Sequence, residues 1–526
     1  MQNDQLTQLS RAARAAVQRR DWVSVAAFAN KIQKQNKKEP EAYFLSGLAE
    51  KGKGRTKPAI QAFNKALSLN SGRYDAGIEL ADQYLLSQRH SEAFALINRY
   101  QQLLTNSPLY LDMAARIFSA LGLHARALPL FQQANQLQPG VGMFRANLAA
   151  CSVLSGKVSD AKALYRELLQ KYPQHQKNHY ELSKLETAKD SVHLQQMQEI
   201  LQQTGLSAEK NIFLYYAIGK ELEDLGRWQE SFQYYKLAGD AVLKVADYDV
   251  ADDIAVIDKI IKVCNVEWLA NGPEPRASSQ PAKTPIFIVG LPRTGTTLTE
   301  RIISSHSQVE SADETFFMQL AIRHAGGAGG IGDVNELIIE KAAKKNIRQI
   351  AQKYMADVAY RLSDRPLFID KYPYNFLYLG FIAKAFPNAR IVYLRRNPMD
   401  ACFAMYKQSF FKFAYSLDNL GQYFVAQERL RRHWQALLGE RLIEVDYEFL
   451  VSDQENQTRL LLDKLGLEFE SACLNFEKNP ATSATASTLQ VREKMHLRSV
   501  NKWKHFAAEL EPLKQYLEGA GIITDT

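Results

Sequence analysis

The stretch Gly290-Leu-Pro-Arg-Thr-Gly-Thr-Thr297 follows an apolar run, Pro285-Ile-Phe-Ile-Val289, and packs two glycines, an arginine and three hydroxyls into eight residues. A strand running through such a turn into a helix aims successive backbone N–H groups at one point, where the helix dipole also favours an anion. In the nucleotide-triphosphatase form of this loop, GxxxxGK[ST], a lysine reaches the β- and γ-phosphates and the next hydroxyl holds magnesium. Here Thr296 stands at the lysine position. A loop that keeps glycines and hydroxyls without the lysine suits a single 5′-phosphate better than a triphosphate. A kinase using ATP at this loop is therefore disfavoured, the more so because no clear aspartate motif for magnesium follows.

Pro292-Arg-Thr-Gly-Thr-Thr297 after an apolar strand resembles the 5′-phosphosulfate loop of sulfotransferases that use 3′-phosphoadenosine 5′-phosphosulfate (PAPS). The resemblance runs over roughly residues 285–505, toward tyrosylprotein sulfotransferases and bacterial tetratricopeptide-sulfotransferase fusions. It implies that Arg293, Thr294, Gly295, Thr296 and Thr297 bind the donor. Ser311-Ala-Asp-Glu-Thr315, starting eighteen residues after Arg293, resembles the family segment that carries the catalytic base, which makes Glu314 the candidate. Lys371, in Asp370-Lys371-Tyr-Pro373, follows a predicted strand, and open α/β sheets bind ligands at strand carboxyl ends. Arg390-Ile-Val-Tyr-Leu-Arg-Arg-Asn-Pro-Met-Asp400 resembles the 3′-phosphate segment and places Arg396 on that phosphate, a task its planar fork suits. Asp446-Tyr447-Glu448 resembles an element near the nucleotide and adds Tyr447. Thr485 to Arg492, followed by Ser499, Lys502 and Trp503, resembles the carboxyl-terminal active-site loop and adds Ser487, Arg492 and Lys502.

Sulfuryl transfer asks for in-line positioning and for charge stabilisation on the leaving and bridging oxygens. The resemblance implies that Glu314 accepts the acceptor's hydroxyl proton while Lys371 and Ser487 stabilise charge on the phosphosulfate bridge, with no metal required. Taken singly, Glu314 also reads as an acid at a helix start and Lys371 as a solvated lysine. Their order and spacing from Arg293 and Arg396 favour function. His306 and Asp400 read as structural. One departure stands out: the 3′-phosphate segment normally carries a serine eight residues after its arginine, and this chain has Ala404. The lost hydroxyl contact is worth about 1–3 kcal/mol unless another donor, such as Ser409, replaces it. Thr315-Phe316-Phe317 follows the base where tyrosylprotein sulfotransferases carry an arginine-bearing stretch, so the acceptor hydroxyl stays open among protein tyrosine, glycan and small molecule. Gly326 to Gly330 reads as a mobile loop framing that acceptor.

The elements that position these residues fall in two kinds. Ala59, Ala93, Ala127 and Ala161 stand 34 residues apart, the period of tetratricopeptide helix pairs. Phe63, Phe131 and Tyr165 lie four residues further on, and Gly47, Ala81, Ala115 and Ala149 lie twelve before, where two helices cross closely. Pro139 and Pro173 close two units. Four units are clear; a degenerate one falls around Gly219, Ser231, Tyr235 and Ala238, and another before Pro40. Such units stack into a solenoid whose concave face usually takes a peptide or partner protein. Beyond a stretch rich in proline and serine, Asn271-Gly-Pro-Glu-Pro-Arg-Ala-Ser-Ser, short apolar runs at 286–289, 367–369, 391–394 and 442–445 predict buried parallel strands.

The expected architecture is an all-α tetratricopeptide solenoid over 1–270, a linker over 271–284, and a three-layer α/β P-loop sulfotransferase domain with a parallel sheet over 285–526. The composition, 46% hydrophobic and 23% charged, is that of a folded globular chain. A net charge of +8 over 526 residues fits an anionic small molecule and gives little support to nucleic acid. Cys151, Cys264, Cys402 and Cys473 are far apart and read as reduced thiols. The polar start of the chain and the lack of a long apolar run predict a cytoplasmic protein without a membrane span. Oligomeric state has no sequence signal. The rival readings are an ATP-dependent P-loop kinase and a repeat scaffold whose transferase domain is inactive, for which Ala404 is the warning; Glu314, Lys371 and Ser487 argue against the scaffold.

Overall fold

The computed structural model describes residues 2–104, 106–271, 283–329, 332–479, 481 and 490–524. Helices follow one another in repeat fashion: Gln2–Gln18, Trp22–Gln35, Pro40–Gly52, Thr56–Leu69, Tyr74–Leu86, His90–Tyr100, Pro108–Ala120, His124–Leu137, Gly142–Leu154 and Val158–Lys171. Pro40 and Pro108 open their helices, where a missing N–H costs nothing. The four alanines in register are all fully buried. Close crossing explains the small residues: a Cβ on Gly47 would lie 2.4 Å from the Phe63 ring.

The repeats continue past the last clear alanine. Gln176–Leu185 and Val192–Thr204 form a pair that the sequence reading missed, and Ile212–Asp224 with Trp228–Leu243 is the degenerate unit. The missed pair carries Gln195 where the period calls for a small residue, and buries Leu194 and Met197 instead. Ser231 stands 70 residues after Ala161, two more than two periods, so the register also slips.

The chain divides into two compact units. One holds the helices up to Cys151; the other takes in Ser152–Ala328 and Val334–Thr526. Within the second unit, Leu214, Ile218, Tyr235, Ile257 and Ile260 of the helices share one hydrophobic cluster with Phe287, Tyr393 and Trp434 of the α/β part. The helix Trp228–Leu243 comes so close that a Cβ on Gly239 would lie 2.3 Å from the Tyr415 carbonyl oxygen. The change in composition near residue 270 and the packing boundary near residue 151 are thus different places.

Among the described residues five parallel strands make the sheet: β1 (Thr284–Gly290), β2 (Val309–Ser311), β3 (Leu367–Asp370), β4 (Arg390–Arg395) and β5 (Leu442–Asp446), in the order β2-β3-β1-β4-β5. β1 shows why its run is apolar throughout. Ile286 and Ile288 face one layer, with Ile302, Leu450 and Leu462 of helices, while Phe287 and Val289 face the other, with Tyr354 and Phe386. The four predicted strands are present. β2 escaped notice because three residues carry no periodic signal. No helix among the described residues is long and apolar enough to cross a membrane.

Candidate active site

β1 ends at Gly290, whose φ of 138° and position 2.5 Å (for an added Cβ) from the Leu394 carbonyl oxygen exclude any side chain. The loop turns through Arg293, itself at φ 68°, and Gly295 at φ 98° starts the helix Thr296–Ser304. A Cβ on Gly295 would meet the Tyr447 ring at 2.5 Å, so the loop lies flat on Tyr447. Gly295 has no side chain to cap the helix, which leaves that end for an outside acceptor. Thr296 and Thr297 head the helix and are buried. The Thr294 hydroxyl donates to the Leu291 carbonyl at 2.7 Å, so Thr294 shapes the loop with its side chain.

Facing this loop is a set of cations. The Arg396 guanidinium donates to the Arg293 carbonyl at 2.8 Å and to that of Ser499, and lies 4.8 Å from the centre of the Tyr447 ring. Asp400 accepts from the backbone N–H groups of Asn501, at 2.6 Å, and Trp503, at 3.0 Å, and so pins the carboxyl-terminal turn beside Arg396. Burial first, and the neighbouring Arg396 second, bring the Arg293 guanidinium down to about 10. Lys502, on the same turn, pairs with Glu223 of the helix Ile212–Asp224. Arg492 packs over Gly156. His306 donates from Nε2 to the Glu468 carbonyl and accepts at Nδ1 from the Gln308 N–H, and so holds a loop together. Ser409 lies 3.4 Å from the Tyr180 hydroxyl. Ser487 lies outside the described residues, as does Gly330 of the glycine-rich loop.

At the carboxyl ends of β2 and β3 sits an acid–lysine group. The Lys371 ammonium donates to Glu314 at 2.6 Å and stands 3.7 Å from Glu300, with its side chain fully buried and Glu314 at 35% exposure. Burial alone would lower Lys371; Glu314, Glu300 and Asp313 outweigh it and raise it. Lys371 is therefore no solvated lysine. Nor is Glu314 a helix-start acid, because the next helix begins at Phe317 with no acid in its first turn. Backbone bonds fix the pairing: Ala312 N–H donates to Ile369 at 2.8 Å and Lys371 N–H to Asp313 at 3.2 Å, while Arg361 donates to the Ala312 carbonyl at 2.6 Å. Asp313 takes φ 60° in the turn between them.

Glu300 was not singled out in the sequence. It lies one turn along the loop helix from Thr296, takes a hydrogen bond from Ser311, and links that helix to Lys371. Burial raises its carboxyl to about 7 against the opposing pull of Lys371. An acid at i+4 in a buried helix that starts at an anion loop was the available signal. Beneath, Asp370 is buried and lifted to about 6, with Thr315 donating at 2.6 Å and Tyr354 at 2.9 Å. A short buried network thus connects the loop helix, Lys371 and Glu314.

Residues 285–471 match the model of the sulfotransferase family, and residues 40–73 and 120–185 match tetratricopeptide repeat models. An uncharacterized protein of Aquifex aeolicus (strain VF5) is 26% identical over 424 residues, 78% of this chain and 55% of that protein. Protein-tyrosine sulfotransferase 2 of Gallus gallus is 23% identical over 238 residues, 41% of this chain and 62% of its own length. The chain thus spans between half and two thirds of the length of these two relatives. Among solved structures, the sulfotransferase domain of the Synechococcus PCC 7002 olefin synthase aligns with 45% of this chain and 98% of its own, at 18% identity and a TM-score of 0.29. The chain carries a sulfotransferase-family domain behind tetratricopeptide repeats.

Proposed function

We propose that this protein transfers a sulfuryl group from PAPS to a hydroxyl acceptor. The observation that carries the reading is the buried Lys371 bonded to Glu314 and joined through Glu300 to the helix of a lysine-free phosphate loop. The residues fit the donor. Arg396 Nε is buried without a hydrogen-bond partner among the described residues, and Gly295, packed against Tyr447, places no side chain over the start of the loop helix. The N–H groups at Gly295 to Thr297 would hold the 5′-phosphate, with Thr296, Thr297 and Arg293, and Arg396 the 3′-phosphate. Tyr447, Arg492, Lys502 and Ser487 complete the donor side.

The donor supplies an activated sulfuryl group on a phosphate leaving group. Glu314, partly open, takes the proton of the acceptor hydroxyl as its oxygen bonds to sulfur and the bond from sulfur to the bridging oxygen breaks. Lys371, buried and charged, meets the negative charge that gathers on that oxygen; its burial strengthens this stabilisation because little water competes. The family's protein-tyrosine members and the exposed Phe316 beside Glu314 support an acceptor with an aromatic or peptide-borne hydroxyl. The amino-terminal repeats, of a kind that binds peptides, would recruit it.

The test is calorimetric titration with the desulfated product, 3′-phosphoadenosine 5′-phosphate, beside ATP, on the wild type and on Arg293→Ala. The product should bind selectively, and the variant should lose roughly 10- to 100-fold in affinity, the worth of a charge-assisted contact. Preference for ATP, or binding of neither nucleotide, would sink the reading.

A further inference from the structure

The serine missing at position 404 leaves the 3′-phosphate side one donor short, and the structure holds a lysine about one helical turn further along. Lys407 caps the helix Pro398–Tyr406 three residues after Ala404. Side chains on a helix lean toward its amino terminus, and Lys407 does so: its ammonium lies 4.8 Å from the centre of the Phe403 ring, four residues back. The side chain therefore runs back along the helix over Phe403, the residue next in sequence to Ala404.

The groups around Lys407 come from four elements. Glu223 of the helix Ile212–Asp224 accepts from it at 2.8 Å and 3.0 Å, one oxygen of that carboxylate also meeting Lys502. The Tyr235 hydroxyl, on the paired helix, donates to the other carboxylate oxygen at 2.9 Å. Lys502, and after it Arg293 of the loop, act on Lys407 by repulsion. Arg396, Lys407 and Lys502 thus gather three cations around two buried carboxylates, Glu223 and Asp400, with the Arg293 charge near enough to act on Lys407. The excess positive charge asks for an anion.

The ion cluster brings little stability of its own. Burial opposes Glu223 ionisation, yet Lys407 and Lys502 together bring it down to about 2, while burial lowers Lys407 to about 8 in spite of Glu223. The two shifts oppose each other, as is usual for a buried pair, whose attraction is offset by the cost of desolvating both charges. Packing alone would be served as well by apolar side chains.

We infer that Lys407 takes over the donor's 3′-phosphate from the hydroxyl missing at position 404, with Glu223 of the helical repeats as its positioning residue; this rests on the donor reading above. Glu223 fixes the direction of Lys407 and keeps it charged in a desolvated place. The helical pair Ile212–Asp224 and Trp228–Leu243 is then part of the donor site.

Two nucleotides separate this inference from the reading it rests on: 3′-phosphoadenosine 5′-phosphate, and adenosine 5′-phosphate, which lacks the 3′ group. The measured quantity is the ratio of their affinities. In Lys407→Met the ratio should fall about tenfold or more, because one charged contact to the 3′-phosphate is gone. In Lys407→Arg it should stay within about threefold of the wild type. Binding of adenosine 5′-phosphate at wild-type strength reports an intact fold. An unchanged ratio in Lys407→Met, or equal loss for both nucleotides in both variants, overturns the inference and leaves the donor reading standing. A wild type that does not prefer the 3′-phosphorylated nucleotide overturns both. Glu223→Gln should move the fall-off in affinity with rising pH to lower pH than in the wild type, since Lys407 loses its counter-charge. An even loss at every pH would make Glu223 merely structural and overturn its part.

Discussion

Two helix pairs of the same design end in different chemistry. In the pair Pro40–Gly52 and Thr56–Leu69, Gly47 receives the Phe63 ring; in the pair Ile212–Asp224 and Trp228–Leu243, Gly219 receives Tyr235, sixteen residues on in both cases. Four residues after the glycine, the first pair carries Lys51 and the second Glu223. Lys51 bonds Glu79 at 2.7 Å and Asp82 at 2.6 Å on the next repeat. Glu223 instead takes two lysines of the α/β part, steadied by a hydroxyl that Phe63 lacks. One frame joins neighbouring repeats in the first unit and holds two lysines of the α/β part in the second. The contact partner, more than the repeat, sets what the position does.

The comparison is sharpest where catalysis and donor binding part company. Glu314→Gln should cut turnover by about 10²- to 10⁴-fold with donor affinity kept, as expected when a general base is lost, read by steady-state kinetics and titration. If donor binding fell alongside, the acid–lysine group and the cation cluster would be one site, and the contrast between repeat-borne and sheet-borne residues would lose its meaning.

Next in size is the pair of repeat variants. Glu223→Ala leaves two lysines without their shared carboxylate and should cost about 3 kcal/mol in denaturant unfolding and weaken donor binding. Lys51→Ala, with Lys51 partly exposed and Glu79 buried, should cost less, about 1–2 kcal/mol, and leave donor binding unchanged. Equal behaviour of the two would erase the distinction between them.

The smallest expected effect is in pH. Lys407 sits at about 8 in the folded chain and near its ordinary value when unfolded. Between pH 8 and the ordinary lysine value the unfolded chain holds a proton that the folded one has released, so stability rises with pH there. Unfolding midpoints of the wild type minus those of Lys407→Met should show that rise. Lys51 is raised by Glu79 and Asp82 over the lowering effect of burial, so its contribution is lost as pH climbs past the ordinary value. A flat difference for Lys407 would mean that the helical pair does not bury it as described.

Much of the candidate site's geometry was legible because a tight strand-to-helix loop needs particular residues at particular places. Gly290 and Gly295 stand where φ is positive, and Arg293, Lys371, Arg396 and Tyr447 stand at strand ends or on the loop they border. Four strands were readable as continuous apolar runs since both faces of the sheet are covered. β2 was too short to show, and the pair Gln176–Leu185 with Val192–Thr204 replaced the expected small residue by larger ones. Glu300, Glu223 and Lys407 were invisible for a common reason: each gains its role from a partner on another element, 71 residues away for Glu300 and 184 for Glu223.

By itself the sequence determined the repeat period, the lysine-free glycine loop and the order of the acid, lysine and arginine segments, because local backbone geometry and helix packing restrict residue type at each position. Tertiary structure alone decided that the later helices share a core with the sheet, that Lys371 is buried between two acids, and that a repeat carboxylate reaches the cation cluster. Burial and charge pairing depend on distances between remote segments, and no local pattern of residues encodes those distances.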